Sequence, residues 1–454
     1  MNLKNIKIPI DYHEIDETED YSGQIMTEYQ QCIDEGLDAK KYKSLFEAAA
    51  ALPAGETKTR IADALFDLTL SLPQTKDFKY NEPSELEEIK RLSKGYKKAD
   101  LSSLDKKVLR NRIKGAWIGR ICGCLLGKPI ECHMTADFVP MLKESGNYPM
   151  NRYILSSDIT EKYKEEFSNG IWWGDKIKCA PADDDTNYVV LASILIDKYG
   201  RDFKSADVLK TWIELQPKNA YCTAERIAYI NYSKGYMPPN SARYKNVYRE
   251  WIGAQIRGDY FGYINPGDPE SAAEMGWKDA IISHTKNGIY GEMFAAAMIS
   301  VSAVCDDIEE IISAGLSQIP QTSRLYESVT EVISWYKNGH SLDECYDEIH
   351  KRYNEYKQHD LVHTISNAMI VTLGLLYGEK DFGKSIAAAV QVGFDTDCNG
   401  ATVGSIIGMV NGADNIDRKW TAPLNGKIET AIIGYDCINI DDIADKAMKH
   451  IFDR

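Results

Sequence analysis

Two stretches of this chain carry a glycine at every fourth position. "KGAWIGRICGCLLGKPIE" puts Gly115, Gly119, Gly123 and Gly127 on one line, and "NGATVGSIIGMVNG" puts Gly400, Gly404, Gly408 and Gly412 on another. A glycine inside a helix costs about 1 kcal/mol relative to alanine, so each stripe is a penalty of several kcal/mol. The offset has to come from packing: residues four apart form one ridge of a helix, and a ridge without side chains lets another backbone come close. In a membrane such spacing marks a dimerising span. Neither stretch has the ~20 apolar residues that a span requires, and Arg120 interrupts the first. The stripes predict two central helices of a compact all-α core, a multi-helix orthogonal packing, in close contact with their neighbours or with each other.

The remaining segments agree with an all-α fold. "DTNYVVLASILIDKYG", "DDIEEIISAGLSQIP", "SLDECYDEIHKRYNEY" and "HTISNAMIVTLGLLYG" all have helical spacing, and strand-like alternation is scarce. Residues 1–105 form a distinct block rich in Glu, Lys and Tyr, with short amphipathic helices that stop at Pro53 and Pro73. Ser84 and Glu87 behind Pro83 suggest a capping box for a third. This block reads as an N-terminal helical extension that packs against the rest or forms a lid, and residues 106–454 read as the catalytic domain. Residues 132–180 and 236–270 are long connections of the kind that line sites.

Composition narrows the function. A net charge of −15 argues against a general nucleic-acid or anionic-membrane binder, since both need a positive face. Ten scattered cysteines show neither zinc-like pairs nor a disulfide rhythm, and the opening "MNLKNIKIPIDYHE" lacks an apolar leader core, so the chain reads as reduced and cytosolic. No nucleotide-binding glycine loop, HExxH or GxSxG occurs.

"PADDDTNYVVLA" sets Asp183, Asp184 and Asp185 side by side ahead of an apolar helix. Neighbouring charges ~4 Å apart repel by about 4 kcal/mol at an intermediate dielectric, so a packed helix start needs a counter-charge. Taken alone the run reads as an acidic first turn. A second group, Asp395 and Asp397 in "GFDTDCNGATVG", opens the second glycine helix, where Asp397 or Asn399 suits the N-cap. Capping accounts for one acid there and leaves others unpartnered at two buried helix starts, which is costly. Brought together, the five acids suit Mg2+ or Mn2+, hard cations that take carboxylate oxygens. Five exceed what one Mg2+ takes, and two ions would share them.

Four further residues stand out. Glu131, at the end of the first glycine helix, gains standing only beside the acids. His284 opens a buried helix and fits a hydrogen-bonded core role as well as a ligand contact. His363 and Asn367 lie one turn apart on one face, where core polar bonding and ligand contact fit equally.

As a set, these motifs resemble the ADP-ribosylglycohydrolases, the family that includes the dinitrogenase reductase-activating glycohydrolase. That family carries a Gly-rich first helix ending in Glu, an acidic Thr-Asp-Asp-Thr segment, a mid-chain Thr-His and a late Gly-x-Asp-Thr-Asp-Thr. Here "GAWIGRICGCLLGKPIE", "DDDT", "SHT" and "GFDTDCNGATVGSIIG" follow in the same order. The resemblance runs from about 108 to 413, with insertions near 132–180 and 306–360. It implies an all-α fold with two Mg2+ or Mn2+ ions between the acidic segments, held by Asp184, Asp185, Asp395 and Asp397, with Glu131 assisting attack of water at the anomeric carbon. By the same resemblance Gly253 and Gln255 are candidate substrate contacts, and His284 falls on the substrate-side histidine. Asp183 stands where the family has a metal-binding Thr, and Cys398 where it has the last Thr ligand. With Asp183 counted among the metal ligands, the extra carboxylate can offset the thiol.

The expectation is a metal-dependent hydrolase of an N- or O-glycosidic bond to ribose, acting on ADP-ribosylated or related ribosylated compounds, with no nucleic-acid or membrane partner. The alternatives are a non-catalytic ADP-ribose or nucleotide-binding protein, a hydrolase of a different ribosylated small molecule, and a phosphate-ester hydrolase.

Overall fold

The computed structural model describes residues 16–101, 104–167 and 170–452; the opening segment read as lacking a leader, residues 1–14, lies outside them. The chain is helical almost throughout. Among the described residues the strands are Lys427–Glu429 and Cys437–Asn439, an antiparallel pair.

The two glycine helices, Lys106–Gly127 and Thr396–Asn411, pack on each other. A Cβ added to Gly115 would lie 2.2 Å from the Gly408 carbonyl oxygen, one on Gly119 2.0 Å from that of Gly404, and one on Gly123 1.8 Å from that of Gly400. The numbers run in opposite senses, so the helices are antiparallel. Of the two arrangements left open by the stripes, contact with each other is the one realised. At the far end Thr396 Oγ1 donates to the Gly127 carbonyl at 2.9 Å. The C-terminus of the first helix, leading into Lys128 and Glu131, therefore meets the N-terminus of the second, which carries Asp395 and Asp397.

Around this pair one apolar core runs from Ile89 to Ile451. It includes two other helices, Lys286–Ser302 and Thr364–Tyr377, each buried but for one terminal residue. The connection 236–270 is less open than its composition implied. It contains a 3-10 turn at Ile252–Arg257 and a short helix at Asp259–Tyr263, and both are buried apart from Gly253, which is partly exposed. The segment 306–360 forms the helices Ile308–Leu316, Arg324–Lys337 and Leu342–Arg352.

The N-terminal residues build a second apolar cluster that they do not close alone. Tyr21, Ile25, Tyr29, Phe46 and Phe66 pack with Ile227, Val247, Tyr248 and Trp251. Ion pairs fasten the same seam: Arg249 meets Glu28 at 2.9 Å and Glu35 at 2.6 Å, and Lys286 meets Glu35 at 2.7 Å. Arg324 pairs with both Glu82 and Glu250 at 2.8 Å.

Two capping expectations fail. The helix Leu86–Leu92 is preceded by Glu85 at the cap, not Ser84. Ser84 Oγ instead accepts from the Lys286 N–H at 3.1 Å, a tertiary use that local spacing does not reveal. The second glycine helix starts at Thr396 with Asp395 at the cap and no side-chain capping bond, so neither Asp397 nor Asn399 is the N-cap. No described helix is long and apolar enough to cross a membrane, and the ten cysteines are free.

Candidate active site and metal centre

Three segments bring the acids together. The helix Asp184–Tyr199 begins with Asp183 as its N-cap, whose Oδ1 accepts from the Asp185 N–H at 2.9 Å. Asp395 and Asp397 come from the start of the second glycine helix, and Glu131 from just beyond the first. Asn367 holds the second group in place: its Oδ1 accepts from the Asp395 N–H at 3.2 Å and from Asn399 Nδ2 at 2.8 Å. Ahead of it, Phe394 takes a φ of 62° while fully buried, a left-handed conformation that a bulky residue adopts only when its surroundings enforce it.

The counter-charges are two cations from the first glycine helix and its continuation. Arg120, fully buried, reaches Asp185 Oδ1 at 2.8 Å and Asp259 Oδ1 at 2.9 Å. Lys128 Nζ reaches Glu131 Oε2 at 2.6 Å, Asp183 Oδ2 at 2.8 Å and Asp397 Oδ2 at 2.9 Å. Sequence reasoning singled out neither residue as part of the site. The available signal is that Arg120 is the one charged residue between Gly115 and Gly127 of the glycine-striped helix.

These two cations do not balance the site. Seven carboxylates, with Asp259 included, face them. Asp185 Oδ2 and Asp397 Oδ1 are buried without a hydrogen-bond partner. Burial, and behind it Asp183, pushes Asp184 up to about 7. Burial likewise holds Asp185 and Asp395 well above the usual carboxylate range, with Arg120 opposing at Asp185 and Asp397 adding at Asp395. Burial and then Asp397 push the half-buried Glu131 up to about 8, against Lys128. Asp183 goes the other way, because Lys128 outweighs its burial. Unmet negative charge with orphaned oxygens fits a hard divalent cation. Two overlapping sets of ligand atoms lie within 4.8 Å of one another: Cys124, Asp183, Asp185 and Asp397 form one, and Asp395, Asp397 and Cys398 the other.

The remaining candidates fall into a neighbouring network. His284 is fully buried, with Nδ1 2.8 Å from Ser283 Oγ and 3.8 Å from Glu225 Oε1. Burial, then the Arg257 charge, holds it well below its ordinary value, so it is neutral. Arg257 pairs with Glu225 and Asp279, both at 2.5 Å. Gly253 lies against Glu225, where an added Cβ would come within 2.2 Å of Oε1. Gln255 is buried, its Oε1 accepting from Thr364 Oγ1 at 3.3 Å. Glu225 joins the two regions, because its charge also raises Asp184.

A cavity of about 590 Å³ lies elsewhere, where the extension meets the core, and Asp34, His359 and His363 converge on it. His359 Nδ1 accepts from Trp251 Nε1 and His363 Nδ1 from the Ile365 N–H, both at 3.1 Å. Each neutral ring therefore carries its proton on Nε2, which makes it a donor and not a metal ligand. His359 Nε2 uses that proton on Asp34 Oδ2 at 2.7 Å.

The family model described as ADP-ribosylglycohydrolase matches residues 105–452. The chain belongs to the ADP-ribosylglycohydrolase family. The all-α core and the family expected from the motifs are thus both found. Among solved structures, this ADP-ribosylglycohydrolase-family chain is similar to an ADP-ribosylglycohydrolase-related protein complex at 15% identity, with a TM-score of 0.44, over 76% of this chain and 98% of that one. No curated protein matches it at a significant level. Residues 16–101, with their cluster against Tyr248 and Trp251, lie ahead of the part that the family model matches.

Proposed function

We propose that this chain is a divalent-metal-dependent hydrolase that cleaves an N- or O-glycosidic bond to ribose, with ADP-ribosylated or related ribosylated compounds as substrates. The observation that carries the reading is the convergence of acids from three segments, with buried unpartnered oxygens on Asp185 and Asp397, beside the half-buried Glu131. Asp184, Asp185, Asp395 and Asp397 would hold Mg2+ or Mn2+, with Asp183 supporting the set from its N-cap. A bound ion supplies positive charge and orients ribose hydroxyls. Glu131 takes the proton of the attacking water as the glycosidic bond breaks with oxocarbenium character. Gly253, on the partly exposed turn, contacts substrate. Gln255, His284 and Asn367, all buried, hold that turn and the second acidic group in position.

The test is a panel of ribosylated compounds incubated with Mg2+ or Mn2+ and read by mass spectrometry. Release of a free ribose-bearing product, stopped by chelation, is expected. Glu131→Gln should lower turnover by about 10²–10⁴-fold and leave metal binding intact. Release of phosphate without a ribose-bearing product would instead mark a phosphate-ester hydrolase.

A second reading is a binding protein that recognises ADP-ribose or a nucleotide without cleaving it. Lys128 favours it, because an ammonium already occupies three of the acids. Calorimetric binding of ADP-ribose with Mg2+, together with no product from any compound in the panel, would establish it.

A further inference from the structure

Five acids in the sequence, and the family they resemble, imply two ions. The folded chain holds a cation of its own among those acids. One oxygen from each of three segments, Glu131 Oε2, Asp183 Oδ2 and Asp397 Oδ2, lies within 2.6–2.9 Å of Lys128 Nζ. An ammonium has three hydrogens to donate and no lone pair; here it donates to Asp397 Oδ2 and is ion-paired with Glu131 and Asp183. The lysine is anchored from behind. It opens the 3-10 turn Lys128–Ile130, directly after Gly127, whose own position is locked against Thr396. Its side chain is 16% exposed, and Nζ lies 5.7 Å from the Trp172 ring centre.

This arrangement uses up Asp183. Its Oδ1 takes the Asp185 N–H and its Oδ2 takes Lys128, so it has no side-chain oxygen left that is without a partner. The buried oxygens of these carboxylates without a hydrogen-bond partner are Asp185 Oδ2, Asp397 Oδ1 and, on the far side of Arg120, Asp259 Oδ2. Asp395 is grouped with Asp397, and Asp184 is exposed to the charges of both Asp183 and Asp397.

We infer that this chain binds one divalent ion and not two: Lys128 stands in the place of one, and Asp184, Asp185, Asp395 and Asp397 take the other. The inference rests on the metal-dependent reading above. It also alters what the site offers a ligand. The half held by Lys128 has no open coordination position, so a substrate hydroxyl can be taken as a metal ligand on the other half alone.

The test is the number of Mn2+ ions bound per full-length chain, measured by equilibrium dialysis and by electron paramagnetic resonance. One ion per chain with the spectrum of an isolated Mn2+ is expected. Two per chain with an exchange-coupled spectrum overturns the inference and leaves the metal-dependent reading standing, whereas no bound ion overturns both. Lys128→Met keeps the apolar stem and frees three carboxylate oxygens, so it should raise the count to two. A folded Lys128→Met protein that still binds one ion removes the lysine from the assignment. Should that variant not fold, the count on the unaltered chain decides.

Discussion

Arg120 and Asp185 pair at 2.8 Å with neither side chain exposed, and the second guanidinium nitrogen goes to an equally buried Asp259. Truncating the arginine leaves two buried carboxylates without their counter-charge. Arg120→Met should therefore destabilise by about 3–5 kcal/mol, seen as a lower urea midpoint. Arg120→Lys should recover only part of that, because one ammonium does not reproduce the fork that reaches both acids and the Ile256 carbonyl.

The glycine contacts allow less relief than most core positions. A methyl on Gly119 meets the backbone of Gly404 and not a movable side chain. Gly119→Ala or Gly404→Ala should each cost about 3 kcal/mol by forcing the helices apart. Either variant should also weaken Mn2+ binding, since the same contact sets Lys128 and Glu131 beside Asp397. Unchanged urea midpoints in both would contradict this account of the stripes.

How far the sequence already carried these features depends on whether a feature is periodic. The stripes announced two close-packed helices, because a four-residue repeat of glycine has few other uses, and the acids at two buried helix starts announced a shared charge problem. The solution was less visible. Arg120 and Lys128 are single cations with no periodicity. Lys128 meets Asp397 through the antiparallel alignment of segments some 270 residues apart, and Arg120 meets Asp185 and Asp259 on other segments of the chain. Ser84 illustrates the same limit, as its local pattern fits a cap while its hydroxyl serves Lys286. The seam between the N-terminal extension and Arg249 is likewise made of pairs that no spacing marks.

Metal ligation makes a joint prediction for the two acidic groups. Asp184→Ala and Asp397→Ala should each abolish metal-dependent turnover. Each should also reduce the thermal stabilisation that Mn2+ gives the unaltered chain, which is about 2.7 kcal/mol at a hundredfold excess over Kd. Retained activity in both variants would sink the metal assignment.

The seam should be acid-sensitive. Glu35 is buried, which raises its value, but Arg249 and Lys286 outweigh this and hold it at about 2, below its ordinary 4.5. A depressed carboxylate stabilises the fold above the unfolded value, and that contribution is lost as pH falls from about 4.5 toward 2. Glu250, held low against its own burial by Arg324, acts in the same sense, while Glu28, raised by burial, opposes them. The protection factors of the amides of residues 25–34, taken relative to their intrinsic exchange rates, should therefore fall below pH 4.5, earlier than those of the Thr396–Asn411 helix. Glu35→Gln should weaken that pH dependence.

The pairing of Gly115 with Gly408 also sets a schedule. The first glycine helix leaves the ribosome about 290 residues before the helix it must lie against. At ~5–20 residues per second it waits ~15–60 s with a bare backbone ridge. A nascent chain stopped short of Thr396 therefore lacks its central packing and the second acidic group. Folding of this core is in this sense late: its first glycine helix gains its closest neighbour only when the second arrives.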